Sequence, residues 1–386
     1  MSNPSAATWL APGAPGFNIE RSRWLTLEYE SVPLYQSAAF FKAMYAGGIR
    51  VIRGFFGTSP SNDIIGLGRA PVASDLTPYF QGLDLATQAG IRCYFDATDV
   101  LPVTDWTNSG SWVPAWIPTF GAAAAAYPFQ NPELICWGPF NEPVDDGAQG
   151  ATWNPIIEEA CAMLRAALPN SVLSIPHNDW NSPTKFGTLP TAPDDGFVFV
   201  WHYYPLATPA NGVAAVQAEW AGVASTIAGF GKPSALTEAG LFNANVGGNP
   251  GYGDWPAAIT AMYAGAGSLS PLAWALTDQG DGNAPPINQT ASGLGTANGT
   301  GDLPAPVAAS YAALPPVVPP IVSGVPTPTP VPQVVTCSNP GTVEVGAPVT
   351  LQFTTTPPLA SIGWVGVSAN PANTWYGGAT TLTSIA

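Results

Sequence analysis

The sequence predicts an α/β fold: a closed (β/α)8 barrel of the TIM type, then a proline-rich linker and a small all-β domain. Three observations carry that prediction. Eight short apolar, β-rich runs alternate with helix-forming stretches over residues 1–314. The tripeptide Gly-Ile-Arg recurs at 48–50 and 90–92, each time where a helix hands over to a strand, as in a repeated βα unit. The first run lacks the glycine-rich phosphate turn that usually follows the first strand of an open, doubly wound sheet. Eight strands alternating with helices therefore favour closure.

The runs fall at 16–19, 49–55, 91–96, 134–141, 171–176, 197–204, 234–237 and 272–276. Most are nearly continuous in apolar side chains, the pattern of parallel strands covered on both faces. Helices are expected at 37–46, 76–89, 155–168, 213–228 and 255–264, and the alanine run at 122–126 is a good helix former. Gly47, Gly90 and Gly229 follow three of these helices, where glycine commonly stops the turn. Residues 315–332, rich in Pro and Thr, read as an extended, semi-rigid linker. Residues 333–386 alternate polar and apolar side chains between turns. They read as a small β domain, immunoglobulin-like or carbohydrate-binding, and short for a complete sandwich.

A chain of 386 residues can hold one large and one small domain. The apolar share of 46% is ample for a core, which excludes a disordered chain. Ten basic against 25 acidic residues give a net charge of −15. Nucleic acid and anionic membranes both need a positive surface, so neither is expected as a partner; a neutral polysaccharide fits. Only 9% of residues are charged. Few native carboxylates then await protonation, and stability is expected to persist from about pH 6 to pH 4. Cys93, Cys136, Cys161 and Cys337 show neither metal-ligand spacing nor a disulfide framework, so reduced, structural thiols are expected. Residues 1–10 lack the basic and apolar regions of a secretory leader, and no apolar run is long enough to span a bilayer. A monomer is expected.

Among so few charges, Glu142 and Glu238 stand out. Each ends an apolar run: Leu-Ile-Cys-Trp-Gly-Pro-Phe-Asn-Glu-Pro over 134–143, and Ser-Ala-Leu-Thr-Glu over 234–238. In a parallel barrel the chemistry sits at the C-terminal strand ends. Two carboxyl groups converging there can cut a glycosidic bond. One protonates the leaving oxygen, and the other attacks the sugar carbon or activates water. Taken singly, Glu142 is as well explained as a helix cap, and an arginine such as Arg53 as a rim ion pair. The set is more specific than its members.

The ordered set Asn141-Glu142-Pro143, His202-Tyr203-Tyr204, Thr237-Glu238 and Trp274 resembles glycoside hydrolase family 5, the retaining barrel glycosidases with catalytic glutamates after strands four and seven. The resemblance implies a retaining endo-β-1,4-glucanase acting on β-glucan, with no metal and no organic cofactor. It implies Glu142 as general acid/base and Glu238 as nucleophile. Asn141 would bond the sugar 2-hydroxyl, Arg53 would hold the nucleophile ionised and Tyr204 would orient it. His202 would contact substrate or the acid/base side, and Trp274 would form the sugar platform in the −1 region. Trp180, within His177-Asn-Asp-Trp180-Asn, resembles the corresponding endoglucanase segment. Such a substrate implies an extracellular or cell-surface location.

Two departures from the family pattern stand in the sequence. Strand three ends Tyr94-Phe-Asp96-Ala-Thr-Asp99 without the family's histidine, so Asp96 or Asp99 fills that place or the subsite has changed. Strand eight carries Gln279 where many bacterial relatives have a lysine contacting the −2 sugar. Trp24, Trp106, Trp112, Trp180 and Trp274 are the candidate sugar platforms, and residues 98–116, which include Trp116, read as too polar and Trp-rich for core. Trp137, Trp201 and Trp220 are assigned to packing. His177 stays open between a cleft-lining and a structural role. The alternatives are an endo-β-1,4-mannanase of the same family and, in another class, a non-catalytic carbohydrate-binding surface protein. In the C-terminal domain Trp364, Trp375 and Tyr376 form either a sugar platform or the core of a spacer.

Overall fold

The computed structural model describes residues 5–10, 14, 16–19, 23–26, 28–29, 32–46, 49–144, 147, 150–184, 187–204, 213–239, 265, 267–269 and 272–276, with 334–338, 352–356, 367–368 and 375–376 in the C-terminal part. The chain divides into two compact units, Met1–Ile321 and Val322–Ala386.

In the first unit eight parallel strands close into a barrel. They are β1 (Gly16–Ile19), β2 (Val51–Phe55), β3 (Arg92–Asp96), β4 (Ile135–Gly138), β5 (Val172–Ile175), β6 (Phe197–Tyr203), β7 (Ser234–Ala239) and β8 (Leu272–Leu276). Each pairs with its neighbour in sequence, and β8 closes on β1. Seven of the predicted runs hold a whole strand, and β7 extends two residues past the predicted 234–237, so that Glu238 lies within it. β2 to β5 are buried at every residue, because the barrel filling covers one face and the surrounding helices cover the other.

The longer helices are α1 (Ala38–Ala46), α2 (Thr77–Gln88), α3 (Val113–Ala126), α4 (Trp153–Ala167) and α5 (Val213–Gly229). In α4, Ile156, Ile157, Ala160, Cys161 and Leu164 are buried, one apolar stripe laid against the sheet. Beyond α2, Gly90 takes φ +89°, the left-handed position that ends a helix. The helix expected at 255–264 lies outside the described residues. Among the described residues no helix is long and apolar enough to cross a membrane. Cys93, Cys136 and Cys161 are buried free thiols.

The stretch at 98–116 differs from the expectation. A short helix, Thr104–Thr107, precedes α3, and Trp106 and Trp116 are core residues. Trp116 Nε1 donates to the Ala97 carbonyl at 2.7 Å, and Trp106 packs edge-on against Phe140. Once its single polar group has a backbone partner, an indole gains most by burying its faces. Trp24 is likewise fully buried, against Phe41, Tyr79 and Phe95, and Trp112 packs half-buried on the same core. Trp137, Trp201 and Trp220 are buried, as assigned.

The lower end of the barrel interior is an apolar cluster of Val51, Tyr94, Cys136, Val172, Val198 and Ala235. Ala6, Trp9 and Ala14 join it from the N-terminal segment. Trp9 meets Tyr94 edge-on at 5.0 Å, and its Nε1 donates to the Glu133 carbonyl at 2.8 Å. In the second unit Val334–Ser338 pairs antiparallel with Gln352–Thr356, and Val367–Ser368 with Trp375–Tyr376.

Candidate active site

Arg53, the third residue of β2, is 1% exposed and organises the upper barrel interior. Its Nε and Nη2 both donate to Asp96 Oδ2, at 3.2 and 2.8 Å. Its Nη1 donates to Asn18 Oδ1 at 3.1 Å and to Glu238 Oε2 at 3.2 Å. Its Nη2 also donates to Asn141 Oδ1. One planar fork thus reaches β1, β3, β7 and the loop after β4, a task a lysine point charge cannot do. Ser174 Oγ on β5 donates to the other Asp96 oxygen at 3.2 Å. Gly138 stands opposite Asp96 in the β3–β4 pairing. A Cβ there would collide with the Asp96 and Ser174 side-chain oxygens, so glycine leaves the room this network occupies.

The two glutamates meet above this layer. The β6–β7 register shifts between Trp201 and His202, which brings His202 opposite Glu238. Such irregularities re-aim side chains at strand ends. Tyr204 Oη donates to Glu238 Oε1 at 2.5 Å, and Arg53 holds Oε2. His202 Nδ1 lies 2.7 Å from Glu142 Oε1 and 3.5 Å from Glu238 Oε2. An oxygen of Glu142 and an oxygen of Glu238 lie within 4.8 Å of each other. Glu142 sits just beyond β4, in a two-residue strand, Glu142–Pro143, that pairs with Val100–Leu101.

The environments separate the two carboxyls. Glu142 is partly exposed, whereas Glu238 is buried. Burial first, and the Glu142 charge second, push the Glu238 carboxyl up; His202, Arg53 and the Tyr204 hydroxyl pull it down. Asp96 is pushed up by burial against the pull of Arg53 and Ser174. Burial takes His202 down to about 3, so its ring is neutral at ordinary pH.

Asn141 is anchored at both ends of its amide. Its Oδ1 accepts from Arg53, and its Nδ2 donates to Asp99 Oδ1 at 3.2 Å. Asn62 Nδ2 donates to the other Asp99 oxygen at 2.9 Å. The two aspartates of strand three therefore divide: Asp96 faces the arginine, and Asp99 faces the asparagine beside the glutamate. His177 is fully buried with its ring 4.4 Å from the Trp201 ring, a structural place. Trp180 is 41% exposed, which suits a platform. Trp274 lies on β8, but its side chain, like Gln279, is outside the described residues.

Asn18, Ser174 and Asn181 belong to the site although the sequence reading passed over them. Asn18 and Ser174 are lone polar residues inside apolar strands, Gly-Phe-Asn-Ile and Val-Leu-Ser-Ile, and that contrast was the available signal. Buried polar groups of this kind need partners. Among the described residues, Glu142, His202 and Glu238 are also the one group with donor atoms close enough for a metal ion. Here hydrogen bonds use that geometry: His202 Nδ1 faces Glu142, and Arg53 already supplies the positive charge beside Glu238.

The family model described as Cellulase (glycosyl hydrolase family 5) matches residues 14–280. No curated protein sequence matches the chain. Among solved structures, a broad-specificity endoglucanase from Clostridium acetobutylicum is similar at 12% identity and TM-score 0.57, covering 80% of this chain and 99% of its own. A hyperthermophilic endo-β-1,4-glucanase in complex with substrate is similar at 15% identity and TM-score 0.56, with 80% and 99% covered. Thermotoga maritima Cel5A in complex with mannotriose is similar at 13% identity and TM-score 0.50, with 71% and 93% covered. At these identities the structural likeness speaks for the barrel fold, and the family match speaks for descent. With residues 14–280 matched, the chain belongs to glycosyl hydrolase family 5.

Proposed function

We propose that this glycoside hydrolase is a retaining endo-β-1,4-glucanase, with Glu238 as nucleophile and Glu142 as general acid/base. The observation that carries the reading is the approach of the two carboxyls to within 4.8 Å, with Glu238 held between Arg53 and Tyr204. Retaining enzymes hold these groups about 5–5.5 Å apart, whereas inverting ones leave roughly 6.5–9.5 Å for a water. Glu238 attacks the anomeric carbon as the bond to the leaving oxygen breaks, and Glu142 gives that oxygen its proton. Water then attacks the same carbon, Glu142 takes its proton, and Glu238 leaves. Arg53 and Tyr204 favour the ionised nucleophile against its burial. Asn141, fixed by Arg53 and Asp99, is read as the partner of the sugar 2-hydroxyl. Trp180 and Trp274 are read as sugar-binding aromatics.

The glucan preference draws on the endoglucanases among the structural neighbours. An endo-β-1,4-mannanase is the second reading, favoured by the neighbour holding mannotriose. A panel of soluble polysaccharides, followed by proton NMR of the nascent anomer, tests both together. Release of β-anomer first, fastest on glucan, is expected. Glu238→Ala and Glu142→Ala should each lower turnover at least about a hundredfold. An α-anomer released first, or near-normal turnover in either variant, would end the assignment.

A further inference from the structure

Three consecutive non-glycine residues in the loop after β5 take left-handed backbone. Asp179, Trp180 and Asn181 have φ of 57°, 53° and 56°. L-residues seldom adopt this conformation in succession, so surrounding bonds must hold it. The Trp180 N–H donates to the Pro143 carbonyl at 2.9 Å, and the Asn181 carbonyl accepts from the His202 N–H at 3.0 Å. The Asn181 side chain is fully buried. Its Oδ1 accepts from the His177 N–H at 2.9 Å, and its Nδ2 donates to the Asn141 carbonyl at 2.6 Å.

Those two backbone partners fix which way the amide faces, because an N–H only donates and a carbonyl only accepts. Nδ2 then lies 3.4 Å from His202 Nε2 with one hydrogen remaining. A donor facing Nε2 makes that nitrogen the acceptor and places the imidazole proton on Nδ1. Nδ1 is the nitrogen that faces Glu142 Oε1. We propose that Asn181 is a positioning residue that holds His202 as the Nδ1–H tautomer, so that the ring donates to Glu142 and orients its carboxyl. The catalytic part of this inference rests on reading Glu142 as the acid/base.

Among the described residues, the charged and titratable groups facing the ring are Glu142, Glu238, Arg53 and His177. Without Asn181 the proton is free to move to Nε2. A lone pair would then face Glu142 and favour its protonated form, which moves the alkaline limb of the pH–rate profile upward. A simple loss of packing would instead lower the rate at every pH and leave the limb in place.

The chain has only two histidines, so nitrogen-15-labelled histidine gives two imidazole signal sets, assigned with His177→Gln or His202→Gln. In the unsubstituted protein His202 should show a protonated Nδ1 and a bare Nε2 across the active pH range. Asn181→Ala should show the other tautomer or a mixture. Its kcat/KM should fall about tenfold at the original optimum, with the alkaline limb raised by about one pH unit. A His202 protonated on Nε2 in the unsubstituted protein overturns the proposal, whether or not the variant folds. So does an Asn181→Ala protein that keeps the Nδ1–H tautomer. A tautomer lost in the variant with an unmoved limb upholds the tautomer assignment and refutes the acid/base reading of Glu142.

Discussion

The two ends of the barrel interior are built from the same strands and carry opposite chemistry. On β2, Val51 belongs to the apolar floor and Arg53 to the polar rim. On β3 the pair is Tyr94 and Asp96, and on β5 it is Val172 and Ser174. The alternation of a strand sends residues two apart to one face, so a single step up each strand crosses from the packed floor to the layer of the candidate active site. Below, Trp9 fills the space left by small and branched side chains. Above, Gly138 leaves space unfilled so that Asp96 and Ser174 can meet. The floor is held by shape; the rim is held by one cation distributed over four buried side chains, Asn18, Asp96, Asn141 and Glu238.

That contrast makes Arg53 the most consequential single residue of the interior. Arg53→Lys keeps the charge but cannot reach Asp96, Asn18, Asn141 and Glu238 together. We expect kcat/KM to fall on the order of a hundredfold to a thousandfold, as when a site loses a preorganised donor. Thermal melts should accompany the kinetics. A lysine variant with near-normal kcat/KM would mean that charge alone suffices and that the fork geometry of the rim has no catalytic role.

The floor should behave the other way. Trp9→Ala removes a ring packed on Tyr94 and one hydrogen bond to Glu133. A loss of about 3 kcal/mol in unfolding free energy is expected from urea titration. Activity per folded molecule should stay within about twofold, because the partners described for Trp9, the Tyr94 ring and the Glu133 carbonyl, belong to the floor and not to the rim. A large fall in kcat at a temperature where the variant is folded would erase the separation between the two layers.

Much of this architecture was legible in the sequence. Parallel strands covered on both faces print themselves as apolar runs, which is why seven of the eight strands lie within predicted ones and β7 overruns its run by only two residues. Glu142 and Glu238 were legible because carboxylates are rare here and these two end such runs. What escaped was whatever depends on partners distant in the chain. Trp106 and Trp116 looked too polar in their surroundings, yet their indoles are buried in the core, Trp116 with its N–H on a backbone carbonyl. Asn181 gave no signal, since its role needs His177, Asn141 and His202 brought together by the fold. The expectation of stability from pH 6 to pH 4 also missed something: a count of charges does not reveal two buried, neutral histidines. His177 and His202 are both taken down to about 3 by burial. Each must gain a proton on unfolding below about pH 6.5, so stability falls from there toward pH 3.

Glu238 works with the opposite sign, and this gives the finest test of the comparison. Its folded-state carboxyl is raised, chiefly by burial and by the Glu142 charge. A raised carboxyl binds its proton more tightly folded than unfolded. Stability tied to it is therefore greatest below the ordinary value of 4.5 and declines as pH rises through the raised one. On the proposed mechanism Glu238 works ionised, so the rim then carries a buried, repelled charge that folding does not require. Glu238→Gln removes it while Asp96 still pairs with Arg53 through two bonds. We expect the variant to be inactive and more stable than the parent by about 1 kcal/mol at pH 7. The gain should shrink toward zero near pH 4, where the parent's carboxyl is protonated. Loss of the Glu238 charge also pulls His202 further down, which acts in the same direction. Melting curves at pH 7 and pH 4 read the difference directly. A variant less stable than the parent at pH 7 would mean that Glu238 holds the barrel's upper layer together, and that rim and floor share one structural role.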